Sequence, residues 1–155
     1  MGSKVDVVEI SKDDSTAVVD FINGILENEF SESYHHLAAD DLDDVCKSYS
    51  GNRDMFLVLK DEGEIIGSVA VKEDAKEVAL LRRLFIAPEH RKKGYGKLMV
   101  QKAIEFCEKN GYEMISFRGN NQMDSAIKVM ERFGFIKKDI IDFGAFHIYI
   151  YVKLL

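Results

Sequence analysis

The residues with the clearest chemical potential form the segment Arg91-x-x-Gly94-x-Gly96, between an apolar strand and an amphipathic helix. Gly94 and Gly96 have no Cβ, so the backbone at these positions can approach a ligand closely. The first turn of the helix presents unpaired N–H groups and the positive end of the helix dipole, and both suit a phosphate or pyrophosphate. The segment therefore predicts an anion-binding loop.

Two other phosphate-binding motifs do not fit this segment. Met99 stands where G-x-G-x-x-G needs its third glycine, and no lysine–serine or lysine–threonine pair closes a Walker A loop. The alternative to a ligand site is a basic turn that caps an ordinary surface helix. The strand, the proline, the arginine and the glycines all fall in register, which favours the ligand site. Pro88 ends the strand, because proline cannot donate a ladder hydrogen bond.

The charge distribution supports an anionic ligand in a protein that is acidic overall. The net charge is −6, which argues against nucleic acid as a partner. Residues 1–50 carry 12 acidic and three basic residues, whereas residues 51–155 carry 15 acidic and 18 basic ones. A basic cluster surrounds the glycine loop and consists of Arg82, Arg83, Arg91, Lys92, Lys93 and Lys97. A phosphate-bearing ligand explains this local contrast.

Length and composition predict one soluble domain that spans residues 1–155. Hydrophobic residues make up 46% of the chain and charged residues 31%, which is typical of a globular protein. No stretch approaches the roughly 20 apolar residues of a membrane span, and no secretory signal is visible, so we expect a cytoplasmic protein with no membrane partner. Cys46 and Cys107 lack metal-ligand spacing; no metal site is predicted, and Cys107 is expected to be a buried structural thiol.

Hydrophobic periodicity and turn residues predict the order β-α-α-β-β-β-α-β-α-β-β, which indicates an α/β domain. The second helix is expected to begin near Ala39–Asp41 and to end before Gly51. The strand before the glycine loop is expected over residues 78–86, and a short strand is expected over residues 112–117. In the final strand, Tyr149–Val152 is expected at the edge of the sheet, where it allows pairing with a second subunit, so the chain is either a monomer or a homodimer.

Ile86-x-Pro88 followed by Arg91-x-x-Gly94-x-Gly96 resembles the acyl-CoA-binding motif of the GCN5-related N-acetyltransferases (GNAT), and the resemblance extends from about Phe56 to Phe135. It implies an α/β (α+β) fold with a mixed, mostly antiparallel central sheet, splayed between strands 4 and 5 and flanked by about four helices. It also implies acetyl-CoA as the cosubstrate, with the pantetheine arm in the splay and the pyrophosphate on the glycine loop.

The resemblance implies a set of CoA-binding residues on both sides of Pro88. A backbone amide of residues 84–86 would also polarise the thioester carbonyl as an oxyanion contact. Loop side chains are free to vary, because backbone groups make the contacts. The implied CoA-binding residues are Leu84, Phe85, Ile86, Arg91, Lys92, Lys93, Gly94, Tyr95, Gly96, Lys97 and Asn121.

The sequence departs from the family at two catalytic positions. Met130 stands where many members have a tyrosine that protonates the departing thiolate, and Leu80 stands where relatives often have a glutamate base. Methionine cannot donate a proton, and Glu77 has the opposite strand parity to Leu80, which directs it to the other face. A thioester is already activated, and a nearly neutral amine needs only water to take its proton. No catalytic residue is therefore predicted. The remaining base candidates are Glu29, His35, His36 and His147.

The resemblance implies an acetyl-CoA-dependent N-acetyltransferase that transfers acetyl directly to a primary amine of a small molecule or peptide. In the family, the two helices that shape the acceptor side belong to the segment that corresponds to the acidic residues 1–50. This acidity suggests a cationic amine, but a solvated acidic surface that gives solubility accounts for it at least as well. The vacant catalytic positions keep a second function open, a non-catalytic acyl-CoA-binding or sensor domain.

Overall fold

The computed structural model of this chain describes residues 5–30, 40–120, 123–144 and 147–155. The seven strands and the helices follow one another in the predicted order, which is confirmed. The strands are β1 (Val5–Glu9), β2 (Met55–Asp61), β3 (Glu64–Ala75), β4 (Val78–Ile86), β5 (Met114–Asn120), β6 (Ile136–Asp142) and β7 (His147–Leu154). The α-helices of the described residues are α1 (Ser15–Glu29), α2 (Val45–Ser48), α3 (Tyr95–Lys109) and α4 (Asp124–Arg132). In these same ranges, no helix is both long and apolar enough to cross a membrane.

The strands lie in the order β1-β2-β3-β4-β5-β7-β6, and every neighbouring pair is antiparallel except β4 and β5. The connection between the two parallel strands runs through α3, because parallel strands need a crossover. The expected mixed, mostly antiparallel sheet is therefore confirmed.

Two cores lie on opposite faces of this sheet. Val69 and Val71 of β3 pack in the core that α3 covers, whereas Ala70 between them packs in the core that α1 covers. Each helix buries residues three or four positions apart, as an amphipathic helix does. The buried residues are Met99, Val100, Ala103, Ile104 and Cys107 in α3 and Val18, Ile22, Ile25 and Leu26 in α1.

The sheet opens between β4 and β5. Four residues of each strand pair in parallel, from Val78 opposite Met114 to Leu81 opposite Phe117. β4 then continues to Ile86 and β5 continues to Asn120 without pairing with each other. The expected splay between strands 4 and 5 is confirmed, and it leaves backbone groups in the carboxyl-terminal halves of both strands that the sheet does not use.

A β-bulge in β4 lies at this divergence. Arg82 pairs with Ala70 of β3, but the next pair is Phe85 with Ser68, so β4 carries one extra residue. Arg83 has a φ of 55°, in the left-handed region that residues other than glycine rarely adopt. The buried Ser68 hydroxyl donates a hydrogen bond to the Arg83 carbonyl at 2.7 Å, which holds the bulge against β3.

The extra residue changes which face of the sheet the side chains of β4 join. Leu81 packs in the α3 core, whereas Phe85, four residues further, packs in the α1 core. Regular alternation would keep both side chains on one face. Leu84 and Ile86 pack against the α3 core instead. The bulge therefore sets which side chains of β4 meet each helix beyond the splay.

Two predictions of local structure are wrong. Within the described residues, the expected second helix is a 3-10 turn at Asp40–Leu42 followed by a single α-helical turn, α2. Asp44 caps α2 by accepting a hydrogen bond from the Lys47 N–H at 3.2 Å, so the acidic run starts a new helix instead of continuing one. The segment Tyr149–Val152 is not at an edge, because β7 pairs with both β5 and β6; β6 is the edge strand.

Candidate active site

The glycine loop reaches α3 through two residues in the left-handed region. Lys92 has a φ of 63°, and Gly94, the N-cap of α3, has a φ of 87°. The Leu98 N–H donates the first hydrogen bond of the helix to the Gly94 carbonyl, at 3.0 Å. The N–H groups of residues 95–97 therefore precede the hydrogen-bond ladder of α3. Together with the helix dipole, they provide the donors and the partial positive charge that an anion needs.

Gly94 and Gly96 are glycines for different reasons. The left-handed backbone at Gly94 costs other residues about 1–2 kcal/mol. Gly96 lies in the first turn of α3, and a Cβ built there would meet only Val129 Cγ2, at 3.9 Å. The protein itself therefore has room for a side chain at Gly96. A ligand close to this backbone explains the glycine better than internal packing does.

Arg91 and Glu29 join the glycine loop to the end of α1. The Arg91 guanidinium donates two hydrogen bonds to the Glu29 carboxylate, at 2.7 and 2.8 Å, and one from Nε to the Ile86 carbonyl, at 2.9 Å. A bidentate pair of this kind fixes the orientation of both groups. The sequence suggests separate roles for Arg91, as a CoA contact, and for Glu29, as a candidate base. The structure instead joins them in one ion pair.

A cleft of about 220 Å³ lies where β4 and β5 diverge. Residues 80–85 of β4 and residues 117–120 of β5 line it, and Met123 and Ile148 complete the lining. Leu84 and Phe85 therefore belong to the cleft, and Ile86 follows directly along β4. The cleft and the glycine loop come one after the other along the chain, which makes them parts of one candidate site.

Backbone alternation directs two amides of β4 into the cleft. The Ala87 N–H donates to the Ile66 carbonyl of β3 at 2.8 Å. Because successive strand residues point their N–H groups to alternate sides, those of Leu84 and Ile86 point away from β3. On that side β5 no longer pairs with β4. Both N–H groups are therefore available to a ligand: Leu84 lines the cleft, and Ile86 lies just beyond its lining.

A buried ion pair holds the bulge from the side of α1. Arg83 and Asp41 are 7% and 8% exposed. Arg83 donates to both carboxylate oxygens of Asp41, from Nε at 3.0 Å and from Nη2 at 2.6 Å. The Tyr49 hydroxyl donates to the same carboxylate at 2.7 Å, and Arg82 Nη2 lies 3.6 Å from it. One carboxylate thus ties the turn at residues 40–42 to the bulge.

This environment fixes the charge of Asp41. Burial alone raises the pKa of a carboxyl group, but the hydrogen bonds and charge of Arg83, with smaller effects from Tyr49 and Arg82, outweigh burial and lower the pKa of Asp41. Burial raises the pKa of the Tyr49 hydroxyl. At neutral pH, Asp41 is therefore an anion and Tyr49 a neutral donor. Both groups are engaged with each other, so neither is a free catalytic base.

The two atypical catalytic positions hold apolar side chains in the structure. Met130 is fully buried in the α3 core, and Leu80 lines the cleft. Glu77 is exposed in the turn before β4 and does not line the cleft. His147 lies 3.4 Å from Asp142 and does not line it either.

The end of β5 adds a residue that the sequence did not assign to the site. His35, His36 and Asn121 lie outside the described residues, and their roles stay predictions. The neighbouring Asn120 is 2% exposed and lines the cleft. Periodicity predicts this strand only as far as Phe117. The three further residues of β5 bring the Asn120 amide to the cleft.

Cys107 lies in the core between α3 and the sheet, away from the cleft. It is fully buried, and burial raises the pKa of its thiol to about 12. The expected structural role of Cys107 is therefore confirmed, because a thiol at such a pKa stays neutral. Cys46 is half-buried, with its Sγ 3.4 Å from the Ser15 hydroxyl.

Comparison with known proteins gives a consistent result for sequence and fold. A sequence profile described as the acetyltransferase (GNAT) family matches residues 19–135, well over half of the chain. N-acetyltransferase family 8 member 2 of Rattus norvegicus is 31% identical over 121 residues, which cover 69% of this chain and 54% of the rat protein. The chain spans about half the length of the relatives that it matches.

Solved structures share the fold over nearly the whole chain. An N-acetyltransferase from Staphylococcus aureus Mu50 superposes with a TM-score of 0.84 at 15% identity, covering 98% of this chain and 99% of that one. A putative acetyltransferase from Salmonella typhimurium, solved with its cofactor acetyl-CoA, has a TM-score of 0.77 at 16% identity and covers 97% and 94%. At these identities, the likeness establishes the fold.

The buried ion pair at the bulge yields a stability prediction. Asp41→Asn leaves the Arg83 guanidinium buried without a counter-charge, and we expect a loss of about 3–5 kcal/mol in the free energy of unfolding, measured by urea titration at neutral pH. Asp43→Asn is the matched control, since Asp43 is exposed one residue beyond the same turn, and it is expected to change stability by less than about 0.5 kcal/mol. Equal losses in the two variants would contradict the role given to Asp41.

Proposed function

This chain belongs to the acetyltransferase (GNAT) family, and on that premise we propose that it is an acetyl-CoA-dependent N-acetyltransferase that acts on a primary amine of a small molecule or peptide. The observation that carries the proposal is that two features follow one another along the chain, the first on β4 and the second at the start of α3. A cleft lined by free backbone amides is followed directly by a helix N-terminus suited to an anion. Acyl-CoA has the corresponding parts in its amide-containing pantetheine arm and its pyrophosphate.

In this proposal, backbone groups make most of the contacts with CoA. The amides of Leu84 and Ile86 bind the pantetheine arm, and the N–H groups of residues 95–97 bind the pyrophosphate. The exposed side chains of Lys92, Lys93 and Lys97 add positive charge around the loop. The room beside Gly96 supports this arrangement, since no protein atom comes closer than van der Waals contact to the place where a Cβ would stand.

Arg91 takes an indirect role in the proposed site. Its guanidinium is bound to Glu29 and to the Ile86 carbonyl. Arg91 therefore positions the loop against the end of β4, and the loop backbone contacts the ligand.

The proposed reaction is a direct transfer within the cleft. The acceptor nitrogen attacks the thioester carbonyl carbon, the new C–N bond forms, and the C–S bond breaks. The amine loses a proton to water, and the released thiolate takes one up. An amide of residues 84–86 stabilises the oxyanion. Because Leu80 and Met130 have no ionisable group, we expect positioning of the two reactants to supply most of the rate enhancement.

The second candidate is a non-catalytic acyl-CoA-binding or sensor domain. The apolar side chains at Leu80 and Met130 favour it, since they remove the usual proton acceptor and donor of relatives. Both candidates need the same CoA site, so ligand binding does not separate them. Turnover does.

A turnover assay tests the proposed activity directly. Purified protein with acetyl-CoA and a panel of primary amines is expected to release CoA thiol above the background without acceptor, as measured with a thiol-reactive dye. Mass spectrometry should find the acetylated amine in the same reactions. Binding of acetyl-CoA without thiol release on any amine would contradict the enzyme and support the sensor.

Gly96→Ala separates a ligand role from a structural one. The added methyl group displaces a ligand from the backbone, and we expect the Kd for CoA to rise by about tenfold or more, equivalent to one charge-assisted hydrogen bond. The free energy of unfolding should change by less than about 1 kcal/mol, since the new Cβ makes only an ordinary van der Waals contact, with Val129 Cγ2. Calorimetric titration and urea unfolding give the two quantities.

Gly24→Ala is the matched control for this substitution. Gly24 lies inside α1, and a Cβ there would meet nothing within 4 Å. Because alanine favours helix, the control is expected to gain about 0.5–1 kcal/mol of stability and to keep the wild-type Kd. A wild-type Kd in Gly96→Ala as well would refute the pyrophosphate contact.

A further inference from the structure

The charged walls of the cleft indicate a class of acceptor. We propose that the acceptor amine carries a carboxylate within a few bonds of its nitrogen, as an α-amino acid does, and that Arg82 and Arg118 bind this carboxylate. The inference rests on the acetyl transfer proposed above and adds two specificity-determining residues to it.

The described lining of the cleft carries positive charge. It contains Arg82, Arg83 and Arg118 and no acidic residue. Asp41 uses both carboxylate oxygens to bind Arg83, and it reaches Arg82 only at 3.6 Å. Arg118 is exposed and forms no ion pair with any residue of the described ranges. Arg118 and the loosely paired Arg82 are therefore the guanidinium groups of the lining that a ligand carboxylate would meet.

Arg82 and Arg118 project from the same face of the sheet. Leu80 pairs with Ser116 in the parallel register, and each arginine lies two residues further along its strand. Since successive side chains alternate between faces, the two arginines share the face of Leu80 and Ser116. The strands diverge just beyond this point, so the two guanidinium groups flank the opening between β4 and β5.

This face is opposite to the one that carries α3. Ala70, the partner of Arg82 on β3, packs in the α1 core, whereas the adjacent Leu81 packs in the α3 core. The pyrophosphate-binding amides of residues 95–97 start α3, which covers the face opposite to the two arginines. The charge of Arg82 and Arg118 is therefore left for the acceptor.

The position of Arg82 along β4 suits a carboxylate near the reacting nitrogen. Leu84, whose amide faces the cleft, lies two residues beyond Arg82, just past the bulge. A guanidinium group binds a carboxylate through two parallel hydrogen bonds, which fixes the ligand in orientation as well as in place. The Arg82 side chain is 27% exposed, so water screens its charge less than at an open surface.

The described acidic residues of the first 50 positions lie outside the lining of this cleft; Asp20, Asp43 and Asp44 line a separate pocket beside α1. Glu29 and Asp41 are each bound to an arginine, and Asp14 is bound to Lys60 at 2.8 Å. None of the described acidic residues in that half lines the cleft. A protonated amine without a carboxylate would meet repulsion from the arginines there.

Matched acceptors and variants test this inference. Amino acids are compared with their own carboxamides, which keep the amine and the side chain but lack the negative charge. We expect at least one amino acid to exceed its carboxamide in kcat/KM by about tenfold or more, the size of a charge-assisted hydrogen bond. Arg82→Gln and Arg118→Gln should each raise KM for that amino acid and remove its advantage, with KM for acetyl-CoA unchanged. Arg118→Lys should keep part of the advantage, and Arg132→Gln on the exposed face of α4 should keep all of it.

Each other outcome overturns a defined part of the account. Turnover of amines with no amino acid better than its carboxamide refutes the carboxylate site and leaves the acetyl transfer intact. A raised KM for acetyl-CoA in Arg118→Gln assigns this arginine to CoA and also refutes the inference. If no amine is turned over, the proposed acetyl transfer is refuted, and equilibrium binding to CoA-saturated protein then tests the carboxylate site by itself. Tighter binding of the amino acid than of its carboxamide, abolished in Arg118→Gln, supports the site. Equal binding of the two compounds refutes it.

Discussion

The end of pairing between β4 and β5 is the constraint on which the rest of the site depends. Beyond Leu81 and Phe117 the two strands share no hydrogen bonds, and buried backbone groups need partners. The amides of Leu84 and Ile86 therefore face a cleft instead of a neighbouring strand. Pro88 then ends β4 and directs the chain into the glycine loop, so that a row of backbone donors continues from the cleft to the start of α3.

Two ion pairs hold this opening in shape. Asp41 binds Arg83 at the bulge, and Glu29 binds Arg91 at the loop. The first pair is buried, so its loss leaves an uncompensated charge in the interior; the second is about one-third exposed and acts mainly by orientation. Both carboxylates come from the acidic first 50 residues. Part of that acidity thus neutralises the arginines around the site, and it does not all face solvent or substrate.

Local chemistry in the sequence predicts the glycine loop and the order of the elements along the chain, whereas the splay is what the family resemblance implies. The left-handed φ of Gly94 follows from glycine itself, and the end of β4 follows from Pro88. The bulge does not follow, because it depends on how β3 pairs with β4. Nothing local distinguishes Asp41 from its acidic neighbours either; only its contact with Arg83, 42 residues away, does so.

Other features of the site were missed for the same physical reason. Counting charges by segment does not reveal that Glu29 pairs with Arg91 and Asp41 with Arg83, because folding forms both ion pairs. Strand periodicity ended β5 at Phe117 and so left Asn120 out of the cleft. Edge position was misassigned because it depends on strand order in space, where β7 inserts between β5 and β6.

Residue-resolved amide hydrogen exchange, with and without CoA, tests the central claim most directly. If CoA lies along β4 and over the start of α3, its addition slows exchange by about tenfold or more at Leu84, Ile86 and residues 95–97, and leaves the edge strand β6 unchanged. Unchanged exchange at Leu84 and Ile86 under saturating CoA would contradict the account, because the open edge of β4 would then serve no ligand.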